Sequence, residues 1–311
     1  AGVTTPGNPV YLTGTIQSNG GDGDGMVAST SGGGTVTILT GNGDIAVASD
    51  IDLNGGDTTG TPGTQASNAG TFAAQTSGTG SVTLVGGDGN IQANGGTGFS
   101  CFSNVCRGGF VQLLSLNGDV ITDGKIEANG GDETGGGTTG GIGGFVMIMG
   151  GTLGGTGILS NNSTITAHGG RGANIGGAGG FVQLLTDQGA LTNTADLNIS
   201  GGPGVTTGGE GGFAQMFTDI TSTNTGGAIT NDGNINASGG NGGTTGGIGG
   251  FLYFGTSNIA TGTNIINTGN LIADGGDSDS GNGGSGDGGN LNTAWCSGGC
   301  TCSTGTAPVG R

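Results

Sequence analysis

Short alternating runs of apolar residues, separated by glycine-rich stretches, set the rhythm of this chain. In the unit beginning at Gly108, GGFVQLL is followed by NGDVIT and then by KIEANGG. Val, Ile, Leu and Phe fill these runs, and N-G, D-G and G-G dipeptides punctuate them, the signature of strands joined by tight turns. Few stretches offer the ten or more glycine-free residues that a helix needs, so the pattern predicts three short strands per unit and no helices.

The unit recurs. Variants of [I/L]-x-A-x-G-G place the first glycine of a pair at Gly20, Gly55, Gly95, Gly130, Gly169, Gly201, Gly239 and Gly275. The mean spacing is about 36 residues, with insertions absorbed between units. A second marker keeps step at Thr35, Phe72, Phe110, Phe145, Phe181, Phe213, Phe251 and Leu291. Periods of 20–50 residues signify stacked repeats. The expected fold is an all-β, right-handed parallel β-solenoid of about eight coils, each coil pairing with the next about 4.8 Å away. Residues 1–295 read as a single solenoid domain, with a lead-in coil over 1–34 and regular coils over 35–295. Residues 296–311 read as a Cys-rich tail.

Counting from the Phe marker, positions +1 (such as Val111 and Val146) and +3 (Leu113 and Ile148) should line the interior. Yet the opposite face is also large, with Phe110 and Leu114, Phe145 and Met149, Phe181 and Leu185, Phe213 and Phe217. Strands apolar on both faces are usually covered on both. An aromatic stripe of Phe72, Phe110, Phe145, Phe181, Phe213 and Phe251 therefore needs a cover. Either the glycine-rich arm before each Phe folds over it, or a neighbouring molecule does.

Composition sharpens this picture. Glycine accounts for 84 of 311 residues, and charged residues for only 8%, yet hydrophobic residues reach 31%, more than a disordered chain carries. The net charge of −17 reflects only four cations, Arg107, Lys125, Arg171 and Arg311. Nucleic acid and anionic membrane surfaces, which require clustered Lys and Arg, are poor partners for such a chain. No apolar run approaches the ~18 residues of a membrane span.

Units of the form GG-x-GG-F-V-Q-L-L … G-x-I-x-x-x-G-x-I-x-A-x-GG resemble the glycine-rich repeats of large bacterial surface proteins, the adhesins and fibres of the filamentous-haemagglutinin and autotransporter kind. The resemblance spans about residues 10–295. It implies a secreted right-handed β-helix used for display, adhesion or fibre building, and it carries over no functional residues.

Candidate chemistry is sparse. GGD occurs at Asp22, Asp57, Asp132 and Asp277, and NGD at Asp44 and Asp119. GGDGDGMVA is similar to a calcium-binding nonapeptide, but such motifs work in tandem copies and this one stands alone. Turn chemistry is the simpler role, with a weak Ca²⁺ site as the alternative and no other cofactor expected. Lys125 and His168 fall in different repeats without a compact acidic cluster, so no catalytic or metal-binding residues are assigned. His168 occupies the place of Asn129 and Ser238, at a solvated edge. Thr35 and Thr37 give way to Phe and Gln in later coils, which breaks the regular Thr rank of ice-binding solenoids.

Five cysteines remain: Cys101, Cys106, Cys296, Cys300 and Cys302. Disulfides between Cys101 and Cys106, and from Cys296 to Cys300 or Cys302, would leave one cysteine over and place the protein outside the cytoplasm. A three-cysteine zinc site without His is the alternative. The functional expectation is a non-enzymatic, extracellular fibre subunit that self-associates head to tail. The rival expectation is an adhesin, or a carbohydrate-binding or carbohydrate-cleaving β-helix, with surface glycans as partners.

Overall fold

A computed structural model describes residues 2–5, 7–23, 31–58, 64–101, 105–136, 139–152, 154–221, 225–256, 265–279, 288–292 and 302–303. Side chains of 2–5, 290–292 and 302–303 are excepted. The chain is an all-β parallel solenoid. Each regular coil contributes a six-residue strand such as Phe110–Ser115, a three-residue strand such as Val120–Thr122, and a two-residue strand such as Ile126–Glu127. Stacking of equivalent strands builds three parallel sheets of nine, nine and eight strands. Paired residues lie about 36 positions apart, as in Phe110 with Phe145 and Phe145 with Phe181.

Alternation decides what lies inside. In Phe110–Ser115 the inward residues Val111, Leu113 and Ser115 are buried and the outward ones are half-exposed. The second sheet contributes Ile45, Val82, Val120 and Leu191 to the core, and the third contributes Ile51, Ile91, Ile126 and Ile165. These residues form one continuous hydrophobic cluster along the axis.

The Phe72 and Leu291 markers are corrected by the register. Thr71 pairs with Phe110, and Phe72 pairs with Val36 on one side and Val111 on the other. Phe72 is therefore an interior residue, fully buried, and no member of the outward stripe. Ala73, expected inside, takes an outward position, and Ala74 is buried in its place. The cause is one residue: "AGTF" stands where later coils have "GGF", and a shift of one position exchanges the faces of a strand. Likewise Asn290, not Leu291, pairs with Phe251.

Polar side chains also enter the core, in ladders. At the end of the second sheet's strands, Val47 and Leu84 are followed in later coils by Thr122, Asn161, Asn193, Asn231 and Asn267. Thr122 donates to Asn161 at 2.6 Å. Asn161, Asn193 and Asn231 each donate from Nδ2 to the Oδ1 of the next, also at 2.6 Å. Asn193 and Asn231 additionally donate to the carbonyls of Ala195 and Gly233, which turns the chain toward the third sheet. Burying amides in this way is tolerable because each finds its partners.

Removing one rung should be costly. Asn193→Ala orphans the buried Nδ2 of Asn161 and Oδ1 of Asn231. At ~1–3 kcal/mol per unsatisfied group, the expected loss for the two is about 2–6 kcal/mol. Thr194→Ala, at the exposed neighbouring position, should stay within about 0.5 kcal/mol. Paired denaturant midpoints of the two variants check the ladder.

Candidate functional site: an uncharged face beside a glycine fin

The described glycine-rich arms are built from regular backbone contacts. Between Gly169 and Phe181, Gly201 and Phe213, and Gly239 and Phe251 the chain makes a lateral excursion and returns through a second glycine pair to the next Phe. Both arms stack coil upon coil: Gly172, Gly204, Gly242 and Ser278 bridge successively on the outgoing side, and Thr139, Ile175, Thr207 and Thr245 on the returning side. The two arms are joined to each other by a backbone relay. Gly177 N–H donates to Gly170 within one coil at 2.8 Å, Gly202 then reaches back to Gly177, and Gly209 to Gly202. The zigzag continues through Gly240, Gly247 and Gly276. Arms this close leave no room for a side chain at the facing glycines: a Cβ on Gly177 would stand 1.9 Å from the carbonyl oxygen of Gly141. The result is a thin two-armed fin along the solenoid.

In the coil of Phe110, a disulfide contributes to the same region. Cys101 and Cys106 are bonded, both buried, in a small second core with Ala66 and Val105. The Cys106 carbonyl accepts from Gly131 N–H at 2.8 Å, the place that Gly141 takes one coil later. Cys296 and Cys300 lie outside the described residues, and only the backbone of Cys302 is described, pairing with Ile265.

At the foot of the fin runs the outward face of the first sheet. Phe110, Phe145, Phe181, Phe213 and Phe251 pair in register and form a ladder. Their ring centroids are 5.4, 6.1, 5.9 and 5.3 Å apart in that order. The glycine arms bond to one another and leave this ladder partly open: Phe181 is 49% exposed and the others are half-buried. Two residues further along the strands lies a row of Gln112, Met147, Gln183, Gln215 and Tyr253, in which Gln183 donates to Gln215 at 2.9 Å. A third row holds Leu114, Met149, Leu185 and Phe217. Ile142 and Arg107 on the fin border a shallow groove against Phe110, Phe145 and Phe181. No charged residue occupies an outward position of this sheet between Thr35 and Gly255.

The acidic turn residues serve a different purpose. Asp22 Oδ1 accepts the backbone N–H of Asp57, Asp57 that of Thr97, and Asp132 that of Arg171, at 2.6–2.9 Å. Asp44 and Asp119 do the same for Ser81 and Ile158. Asp277 is on the receiving end, its N–H bonded to Asn241 Oδ1. Asn19, Asn54, Asn94 and Asn129 form a parallel line, which ends on the backbone N–H of His168. These short acceptors sew each coil to the next where the strands leave off. Half-buried His168 also places Nδ1 3.1 Å from the Gly169 carbonyl. Lys125 pairs with Glu127. Among the described residues, no group of three or more His, Cys, Asp or Glu is placed to hold a metal ion, and no helix is long and apolar enough to cross a membrane.

The buried carboxylate of Asp187 escaped sequence reasoning. It accepts from Gly154 N–H at 2.6 Å and from the N–H and hydroxyl of Thr221, while its own carbonyl accepts from Asp219 N–H. It thus ties together the loops of three successive coils at one corner. The only signal was the recurring Thr-Asp after an apolar strand, in LLTD and MFTD.

No family model, no curated protein and no solved structure matches the chain. The parallel β-solenoid fold is consistent with filamentous-haemagglutinin-like and autotransporter surface proteins but not specific to them.

Proposed function

We propose that this chain is an extracellular structural subunit, a right-handed β-solenoid that stacks end to end into a fibre at the cell surface. The observation that carries the reading is the repetition of register. Every coil pairs with the next through the same positions of the same three sheets, so each coil edge is a template for another coil. Among the described residues, Gly2–Thr5 and Asn290–Asn292 are the outermost strands of the first sheet, each paired on one side. Unpaired strand edges recruit further strands. Contact between unlike ends is heterologous and does not close, so it propagates. The buried Cys101–Cys106 disulfide fits an oxidising compartment. A scaffold of backbone relays and side-chain ladders suits a load-bearing rod.

Electron microscopy of native material, with light scattering across a concentration series, tests this reading. Filaments with a ~4.8 Å axial repeat are expected. A stable monomer at every concentration, with both termini intact, would overturn it and leave a free-standing surface domain, with adhesion or glycan binding as its work.

A further inference from the structure

We propose that the uncharged outward face of the first sheet docks a second copy of this chain, sheet against sheet about a two-fold axis. This contact is lateral and separate from the ends. Three observations single out a second copy as the occupant.

The first is charge. Two molecules that each carry −17 can meet broadly only where neither presents a charge. The outward positions of the first sheet carry no charge from Thr35 to Gly255, with the exposed Arg107 and Glu210 confined to the fin beside it, whereas the turn after the third sheet carries a row of Asp. The same lack of Lys and Arg removes the attraction that an anionic membrane surface would need.

The second is relief. The Phe row, the Gln and Met row and the Leu row run parallel to the axis, about 6–7 Å apart. Grooves with this spacing, repeated at the pitch of the coils, are filled by ridges of the same spacing and pitch. The same face of another copy supplies them, and a two-fold axis lets each copy fill the other. In the central row the Gln183 amide already bonds along the axis to Gln215. The row is therefore an ordered polar ridge, and the same ridge on a second copy offers amide donors and acceptors to match its remaining ones.

The third is area. Seven six-residue strands, from Thr35–Thr40 to Phe251–Thr256, make up the face. At 4.8 Å per coil and 3.3 Å per residue this is about 670 Å² per copy, or roughly 1,300 Å² for the pair. That lies within the class of stable, specific interfaces.

The test uses the full chain. Wild-type protein is expected to sediment as multiples of a pair of 29.1 kDa chains, and its filaments to be two solenoids wide. Met147→Glu combined with Gln215→Glu puts carboxylates on the central row at half-buried outward positions two coils apart. This variant should weaken pairing at least 100-fold and halve filament width without shortening the filaments. Thr192→Glu, outward on the second sheet, should do neither. Gln183→Lys is the alternative disruption if the double variant fails to fold. A wild type that stays one solenoid wide and never pairs would overturn the proposal, as would a folded disrupted variant that keeps the pair. Width and length are read separately, so loss of end-to-end growth alone sinks the fibre and not the lateral contact.

Discussion

Phe72→Ala is expected to cost about 3–5 kcal/mol, while Phe181→Ala in the isolated chain should cost about 1 kcal/mol or less. Sequence pattern alone puts both in one stripe; the structure separates them. Phe72 points inward between Val36 and Val111 and is fully buried. Its bulk is compensated within the same strand: Ala74 lines up with Ile38 and Leu113, giving back the volume that the ring takes. A truncated Phe72 would leave small side chains around a large void, and the stacked coils above and below cannot close it without breaking register. Phe181 loses only a partly exposed ring and two ring contacts. Thermal or denaturant unfolding of both variants reads the contrast directly. A silent Phe72→Ala would mean that the strand Thr71–Thr76 sits one residue out of the described register, and a Phe181→Ala as damaging would mean that the Phe181 ring is covered within the single chain. If the lateral pair forms, Phe181→Ala gains a second readout, weaker pairing without loss of fold.

That contrast shows where the sequence was readable. Three strands per coil and a spacing near 36 follow from local cues, since Gly-bounded apolar runs of period two can hardly be anything but strands. The Phe110, Phe145, Phe181, Phe213 and Phe251 ladder follows from the same counting, because in each of these coils Phe comes immediately after Gly-Gly. Phe72 departs from this phase because Thr71 stands between it and the glycine that sets the register; Gly70, equivalent to Gly109, marks the true phase. Other features lie beyond a single repeat. The Asn161, Asn193 and Asn231 ladder exists only between coils, and each Asn taken singly reads as a turn residue. Asp187 is satisfied by groups 33 and 34 residues away, which no local pattern encodes. The glycine fin was the hardest to foresee. Its facing positions are glycine by necessity, so nothing at them marks which carbonyl each N–H will meet.

Gly177→Ala is expected to damage the protein at or above the upper end of the ~1–3 kcal/mol typical of overpacking, although it adds a single methyl group. Gly14→Ala, in open space at an exposed bend, should be nearly neutral. The methyl at position 177 would stand 1.9 Å from the oxygen of Gly141 and 2.7 Å from its carbonyl carbon. Both are main-chain atoms, so no rotamer change can relieve the clash. To admit it, the arms must part, and parting them breaks the relay between Gly170 and Gly141 and between Gly177 and Gly170 at once. Each bond is worth only ~0.5–1.5 kcal/mol net. The relay is shared by successive coils, however, and the displaced arm drags its neighbours with it. Hydrogen exchange should report this as faster exchange at Gly170, Gly177 and Gly202, with the core strand Phe181–Thr186 less affected. Uniform slow exchange across the fin in Gly177→Ala would contradict the close approach of its arms. It would also leave the recurrence of paired glycines in every regular coil without a physical cause.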